Sequence, residues 1–204
     1  LGASIEIVNG GSGDDNFTTF LNPPQPPPSI NEYYLARMIH GNDGNDVIHG
    51  VYADGDMLYG DNGNDTLDGW LGADYLSGGE GDDRLTGWFD GNAADTLVGG
   101  TGDDVYEVDS ADIIVESANE GTDTVIVGSS HTLGDNLENM TMAMWFGTGD
   151  LTGNVSNNVL TGNETANVLT GLAGTDTLIG GAGNDTYVFN LGDGADAIQD
   201  MSLS

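Results

Sequence analysis

The chain has 204 residues, 37% of them hydrophobic, with 34 acidic side chains against 2 basic ones and a formal net charge of −32. So few cations exclude a nucleic-acid binder, which needs a basic patch against phosphates, and no stretch of sequence is apolar enough to span a membrane. No cysteine is present, which removes disulfides and thiolate metal sites and fits an extracellular chain held together by another staple.

Acidity of this size fits a disordered chain, a salt-adapted surface, or a protein that takes its positive charge from bound metal. Leu, Ile, Val and aromatic residues recur at regular intervals, which speaks against disorder. Many Asp residues fall at fixed offsets from Gly, which points to ligation rather than to a scattered halophilic surface. The chain starts at Leu1 with no visible secretory leader, and so reads as a fragment or processed form of something longer.

Residues 1–18 hold a first nonapeptide, GGSGDDNFT from Gly10. Residues 19–40 replace one turn with a Pro-rich loop (Pro23, Pro24, Pro26, Pro27, Pro28) and a return strand around Ile39. Residues 41–107 carry the main block: GNDGNDVIH at Gly41, then GDNGNDTLD, GWLGADYLS and GGEGDDRLT from Gly60, and GGTGDDVYE from Gly99. Residues 108–152 lose the register. Strand-like runs persist there at 112–116, 124–127 and 139–144, and wider coils are expected, with Met140, Met142, Met144, Trp145 and Phe146 read as core ahead of the alternative, a partner contact. Residues 153–204 form a second block, degenerate at its start, in which GLAGTDTLI and GGAGNDTYV are regular.

Each nonapeptide has Gly at position 1, usually Gly at 4, Asp at 6 and a large apolar residue at 8. The last three residues make a short strand with one side chain inward, and the first six a turn in which Gly supplies unusual backbone angles and Asp or Asn bond locally. Two nonapeptides complete a coil of 18 residues. The fold class that follows is all-β, a parallel β-roll or β-helix solenoid around a thin aliphatic core.

The pattern resembles the haemolysin-type "repeats in toxin" (RTX) family, and copies at 10, 60, 78, 99 and 180 are near-perfect. The resemblance implies several Ca²⁺ ions bound in the turns and a parallel β-roll. By position it implies ligands at Asp15, Asp46, Asp65, Asp74, Asp83, Asp104 and Asp185, then Asp56, Asp95 and Asp176. Carbonyls of turn glycines would complete the set: Gly41, Gly44, Gly60, Gly63, Gly78, Gly81, Gly99, Gly102, Gly180 and Gly183. At Asn158 and Asn167 the carboxylate is replaced, and those turns are expected to bind weakly or not at all. Six N-x-S/T sequons are by-products of the repeat, because GNDT satisfies both patterns.

Successive turns alternate between two edges. The turns at 41, 60, 78 and 99 share one regular edge, joined upstream by Asp15, and calcium is expected chiefly there. The intervening turns at 50 and 87 carry insertions, and Tyr34, Tyr52, Trp70 and Trp88 recur at intervals of one coil, with Phe89 adjacent. That edge is either a contact surface or a local mini-core. HExxH and G-x-S-x-G are absent, so an enzyme is not expected. His40 and His49 fall on successive strands and hence in opposite sheets. The expected function is a calcium-binding β-roll of a secreted bacterial protein, extracellular or at the cell surface, that folds when it meets Ca²⁺ outside the cell. The alternatives are a self-assembling surface-layer, filament or adhesin subunit, and a polysaccharide-binding accessory module of a secreted enzyme.

Overall fold

The computed structural model describes residues 6–17, 37–50, 55–88, 93–144 and 147–200. The Pro-rich loop, Tyr34, Tyr52, Phe89, Trp145 and Phe146 lie outside them. Two compact units are present: residues Leu1–Tyr106 with Ala111–Val115, and residues Glu107–Ser110 with Glu116–Ser204.

Alternation along an extended chain sends every second side chain to one face. In the repeat the inward set is larger than position 8 alone. Burial alternates through position 6, position 8 and the next position 1, as at Asp65, Leu67 and Gly69. The aspartates therefore sit inside the roll beside the leucines. This inward placement corrects the expectation of one inward side chain per strand.

In the first unit one sheet has the order β1 (Glu6–Asn9), β3 (Arg37–Asp43), β5 (Met57–Asn62), β7 (Tyr75–Glu80), β9 (Thr96–Thr101) and β11 (Ile113–Val115). The facing strands are β2 (Asn16–Phe17), β4 (Val47–His49), β6 (Thr66–Asp68), β8 (Arg84–Thr86) and β10 (Val105–Val108). Pairing is parallel, and the register stacks like on like: Ile39 on Leu58 on Leu76 on Leu97 in one sheet, Ile48 on Leu67 on Leu85 in the other. All of these side chains are buried, and Tyr106 continues the second row. Phe17 is only half-buried.

The two sheets differ in strand length. β5, β7 and β9 each run six residues, because pairing continues through the glycine into the regular turn (Asn42 on Asp61, Asp61 on Gly79, Gly79 on Gly100). β4, β6 and β8 are the expected three residues. The regular turns bend at two left-handed positions. Position 2 has φ of 77° at Asn42 and 75° at Asp61, which Asn and Asp tolerate, and position 4 has φ near 130° at Gly44, Gly63 and Gly81, which only glycine adopts readily.

The second unit contains β12 (Thr124–Val127), β14 (Asn139–Met142), β16 (Val159–Thr161), β18 (Thr177–Gly181) and β20 (Ala197–Asp200) in one parallel sheet. The other is β13 (His131–Thr132), β15 (Asp150–Thr152), β17 (Val168–Thr170) and β19 (Thr186–Val188). Its core rows include Val125, Met140, Leu160 and Leu178, and Leu151 and Leu169. Coils here are not uniformly wider. Asp123 meets Glu138 across 15 residues, a narrower step, whereas Asn154 meets Gly134 across 20. Met140 and Met142 are core as expected, whereas Met144 is exposed. Among the described residues no helix is long and apolar enough to cross a membrane.

Candidate metal centre

Two oxygens of each position-6 aspartate do different things. Oδ1 accepts a backbone N–H from the position-6 residue of the preceding coil on the same edge. On the regular edge Asp15 donates to Asp46 (2.6 Å), Asp46 to Asp65 (2.6 Å), Asp65 to Asp83 (2.7 Å) and Asp83 to Asp104 (2.8 Å). On the opposite edge Arg37 donates to Asp56 (2.7 Å), Asp56 to Asp74 (2.7 Å), Asp74 to Asp95 (2.7 Å) and Asp95 to Asp112 (3.0 Å). The carboxylate ladder is thus continuous on both edges. The insertions at 50 and 87 are absorbed ahead of the aspartate, and the ladder itself gives no preference to the regular edge.

What does distinguish the regular edge is a second ladder, one residue earlier. Asn45 N–H donates to Asp14 Oδ1 (2.9 Å), Asn64 to Asn45 (2.8 Å), Asp82 to Asn64 (3.1 Å) and Asp103 to Asp82 (2.9 Å). These bonds run from later coil to earlier, opposite in sense to the position-6 ladder. The opposite edge has Gly55, Ala73 and Ala94 before its aspartates and can build no such ladder there.

Oδ2 is the chemically open atom. At Asp46, Asp65, Asp74 and Asp83 it is buried with no hydrogen-bond partner, and the same holds at Asp176 and Asp185 in the second unit. Its neighbour is the position-1 glycine of the same repeat. A Cβ built on Gly41 would overlap Asp46 Oδ2 and the Gly60 carbonyl oxygen; on Gly60, Asp65 Oδ2 and the Gly78 carbonyl; on Gly78, Asp83 Oδ2 and the Gly99 carbonyl. The missing methyl leaves a cradle walled by a carboxylate and a backbone carbonyl. Both oxygens are acceptors, and at Gly41, Gly60 and Gly78 only the glycine Cα–H stands between them.

Burying an unpaired carboxylate is strongly unfavourable, so the group either takes up a proton or finds a cation. Burial pushes the Asp65 carboxyl up to about 6 and those of Asp74 and Asp83 up to about 8, the backbone N–H from the preceding coil opposing the rise and neighbouring carboxylates adding to it. Asp46 and Asp176 are raised for the same first reason, burial. A hard divalent cation answers this donor set. Ca²⁺ accepts six to eight oxygens in flexible geometry, whereas Mg²⁺ demands a near-ideal octahedron. The residues present fit the ion that the repeat pattern implies.

In the second unit Asp176 accepts from Asn158 N–H (2.8 Å) and donates to Asp196 Oδ1 (3.0 Å), and Asp185 accepts from Asn167 N–H (2.9 Å). Asp112, Asp123, Glu138 and Asp196 also take ladder positions, although none of the four lies in a glycine-headed nonapeptide. A shorter signal finds them: an acid two residues before an apolar side chain in register with the core row, as in Asp112-Ile-Ile114, Asp123-Thr-Val125, Glu138-Asn-Met140 and Asp196-Ala-Ile198, the last of these exposed. The triplet survives where the glycines do not.

Of the aromatic edge, Trp70 and Trp88 are described. They follow Asp68 and Thr86, which are register partners, so they fall at equivalent places in adjacent coils. Trp70 is 42% exposed and left-handed (φ 67°), with its N–H on Asp68 Oδ1 (3.1 Å). His40 and His49 lie in opposite sheets, each beside an acid: Asp61 at 2.9 Å and Asp68 at 3.4 Å.

The sequence model of the RTX calcium-binding nonapeptide repeat matches in four copies, over residues 38–50, 52–85, 89–106 and 152–187. No curated protein matches the chain. The matched segments take in the glycine cradles and carboxylate ladders of both units, and the RTX repeat solenoid is a structural calcium-binding module rather than a catalytic fold. The chain therefore belongs to the RTX calcium-binding nonapeptide-repeat family.

Proposed function

We propose that this chain is a calcium-responsive folding module of a secreted bacterial protein, with Ca²⁺ held between coils on both edges. The observation that carries the reading is the row of buried Oδ2 atoms without a hydrogen-bond partner, at Asp46, Asp65 and Asp83 beside the glycine carbonyls of the next coil. The holding residues in the first unit are Asp15, Asp46, Asp65, Asp83 and Asp104 on one edge and Asp56, Asp74 and Asp95 on the other. Asp176 and Asp185 hold it in the second. With a net charge of −32 and two fixed cations, the chain repels itself until metal supplies the positive charge. Extracellular modules of this chemistry bind Ca²⁺ at about 10⁻⁴–10⁻³ M, which keeps the chain unfolded in a calcium-poor cytosol and folds it outside.

Circular dichroism of the full chain in EGTA and across a calcium titration tests this. A cooperative rise of β signal in the millimolar range is expected. The same β content in EGTA and in calcium would overturn it. A second reading, a contact surface on the aromatic edge for a polysaccharide or a second copy, is favoured by the exposed, left-handed Trp70. Loss of glycan binding or of calcium-dependent assembly on Trp70→Ala would support it.

A further inference from the structure

Two turns of the second unit solve the acceptor problem without metal. In the repeats at 153 and 162 the residue at position 6 is Asn158 and Asn167, both buried, and position 2 is also a buried asparagine, Asn154 and Asn163. Their carboxamides point protons at the backbone oxygens of the preceding coil. Asn158 Nδ2 donates to the carbonyls of Leu137 (3.1 Å) and Glu138 (3.2 Å), and Asn154 Nδ2 to Gly134 (2.6 Å) and Leu137 (2.7 Å). Asn167 Nδ2 donates to Gly149 (3.1 Å), and Asn163 Nδ2 to Ala143 (3.2 Å).

The oxygens of the same amides are used within the turn. Asn158 Oδ1 accepts Asn154 N–H (2.8 Å), Asn167 Oδ1 accepts Asn163 N–H (2.9 Å), and Asn154 and Asn163 Oδ1 accept from Ser156 and Thr165 N–H (2.8 and 2.9 Å). None of the four side chains leaves a buried polar atom without a partner, in contrast to the aspartate turns. The backbone differs as well. Among the described residues no left-handed position occurs between Asn136 and Leu172, so these turns are built without the positive-φ glycines of the regular ones.

We propose that residues 131–170 form a metal-independent block, in which the Asn154, Asn158, Asn163 and Asn167 carboxamides do what the cation does in the aspartate turns. A carboxylate offers acceptors only, so a coil of acceptors needs an ion; here the carboxamide oxygen beside the position-1 glycine accepts an N–H of its own turn and the nitrogen donates to the preceding coil, so the side chain is satisfied from within the chain. The core beneath is complete, with Leu133, Leu137, Met140, Leu151, Leu160 and Leu169 buried. The block is then a standing template that the calcium-dependent turns at 171 and 180 extend. The inference rests on the reading that the aspartate turns need Ca²⁺.

Hydrogen exchange on the full chain, followed by mass spectrometry in EGTA and in calcium, tests it. In EGTA the amides of 159–161 and 168–170 are expected to keep protection within about tenfold of the calcium-loaded value, while those of 57–62 and 96–101 lose about a hundredfold or more. Exchange at 159–170 as fast as at 57–62 in EGTA would overturn the proposal. If 57–62 stays protected in EGTA, the calcium reading of the aspartate turns fails instead, and the asparagine variants decide. Asn158→Asp with Asn167→Asp is expected to bind additional calcium per chain by equilibrium dialysis and to make 159–170 calcium-dependent. Asn158→Ala is expected to lose protection that calcium does not restore. Unchanged calcium binding in the double variant, or rescue of Asn158→Ala by calcium, would count against it.

Discussion

The two oxygens of one aspartate can be separated by substitution at Asp83, buried on the regular edge. Asp83→Asn keeps the Oδ1 that accepts Asp65 N–H and replaces Oδ2, the atom facing the Gly78 cradle, with an amide. Asp83→Ala removes both. In calcium, each variant loses one anionic ligand, but the alanine variant also leaves the buried Asp65 N–H without an acceptor, an added penalty of about 1–3 kcal/mol. In EGTA the order changes. The asparagine removes an orphaned acceptor and places a donor beside the Gly99 carbonyl, so it is expected to hold at least as much β structure as the parent. Urea unfolding followed by circular dichroism, in about 10 mM calcium and in EGTA, reads both arms, since that concentration exceeds the affinities typical of extracellular sites. The expected stability in calcium is parent, then Asp83→Asn, then Asp83→Ala. Equal stability of the two variants in calcium would refute the division of labour between the oxygens.

Acid should partly replace calcium. Carboxyls raised by burial to about 6 at Asp65 and about 8 at Asp74 and Asp83 bind protons more tightly in the metal-free fold than in the unfolded chain. Their contribution is therefore present at low pH and lost as pH rises through about 6 to 8. In EGTA, β content is expected to increase from pH 8 to pH 5, read by circular dichroism. Trp70→Asn, at a left-handed position, is expected to raise stability in calcium by about 1 kcal/mol by thermal unfolding, because Trp is strained there and Asn is not. Leu76→Ala, in the middle of an aliphatic row, is expected to lower it by about 2–5 kcal/mol in urea unfolding.

The repeat period made much of this architecture legible in advance. Ile48, Leu58, Leu67, Leu76, Leu85, Leu97, Leu160, Leu169 and Leu178 are inward because position 8 is large and apolar in every repeat, a signal strong enough to survive insertions. Less legible was the inward turn of the aspartate at position 6 and the glycine at position 1. An acidic residue in a glycine-rich stretch reads as solvated turn, and only the stacking of parallel coils shows that its Oδ1 is spoken for by a neighbour 18 to 21 residues away. The position-5 ladder was hidden for a related reason: Asp14, Asn45, Asn64, Asp82 and Asp103 vary in type, and what they share is a place in one chain of N–H to side-chain oxygen bonds. Asymmetry between edges was read from loop length, whereas the carboxylate row depends on strand register, which insertions ahead of it leave intact. Asp112 and Asp196 are hidden from a glycine-headed repeat because they carry only the acid-x-apolar triplet.

The opposed ladders of the regular edge bear on how coils find their place. The leucine rows reject a one-residue slip, because it would turn every inward side chain outward. The polar rows reject it a second time. Position 6 gives its N–H forward along the stack and position 5 gives its N–H backward, one residue apart, so a coil seated a single residue out of step strands both at once. On that edge alignment is checked twice, once by the buried apolar face and once by hydrogen bonds of opposite sense.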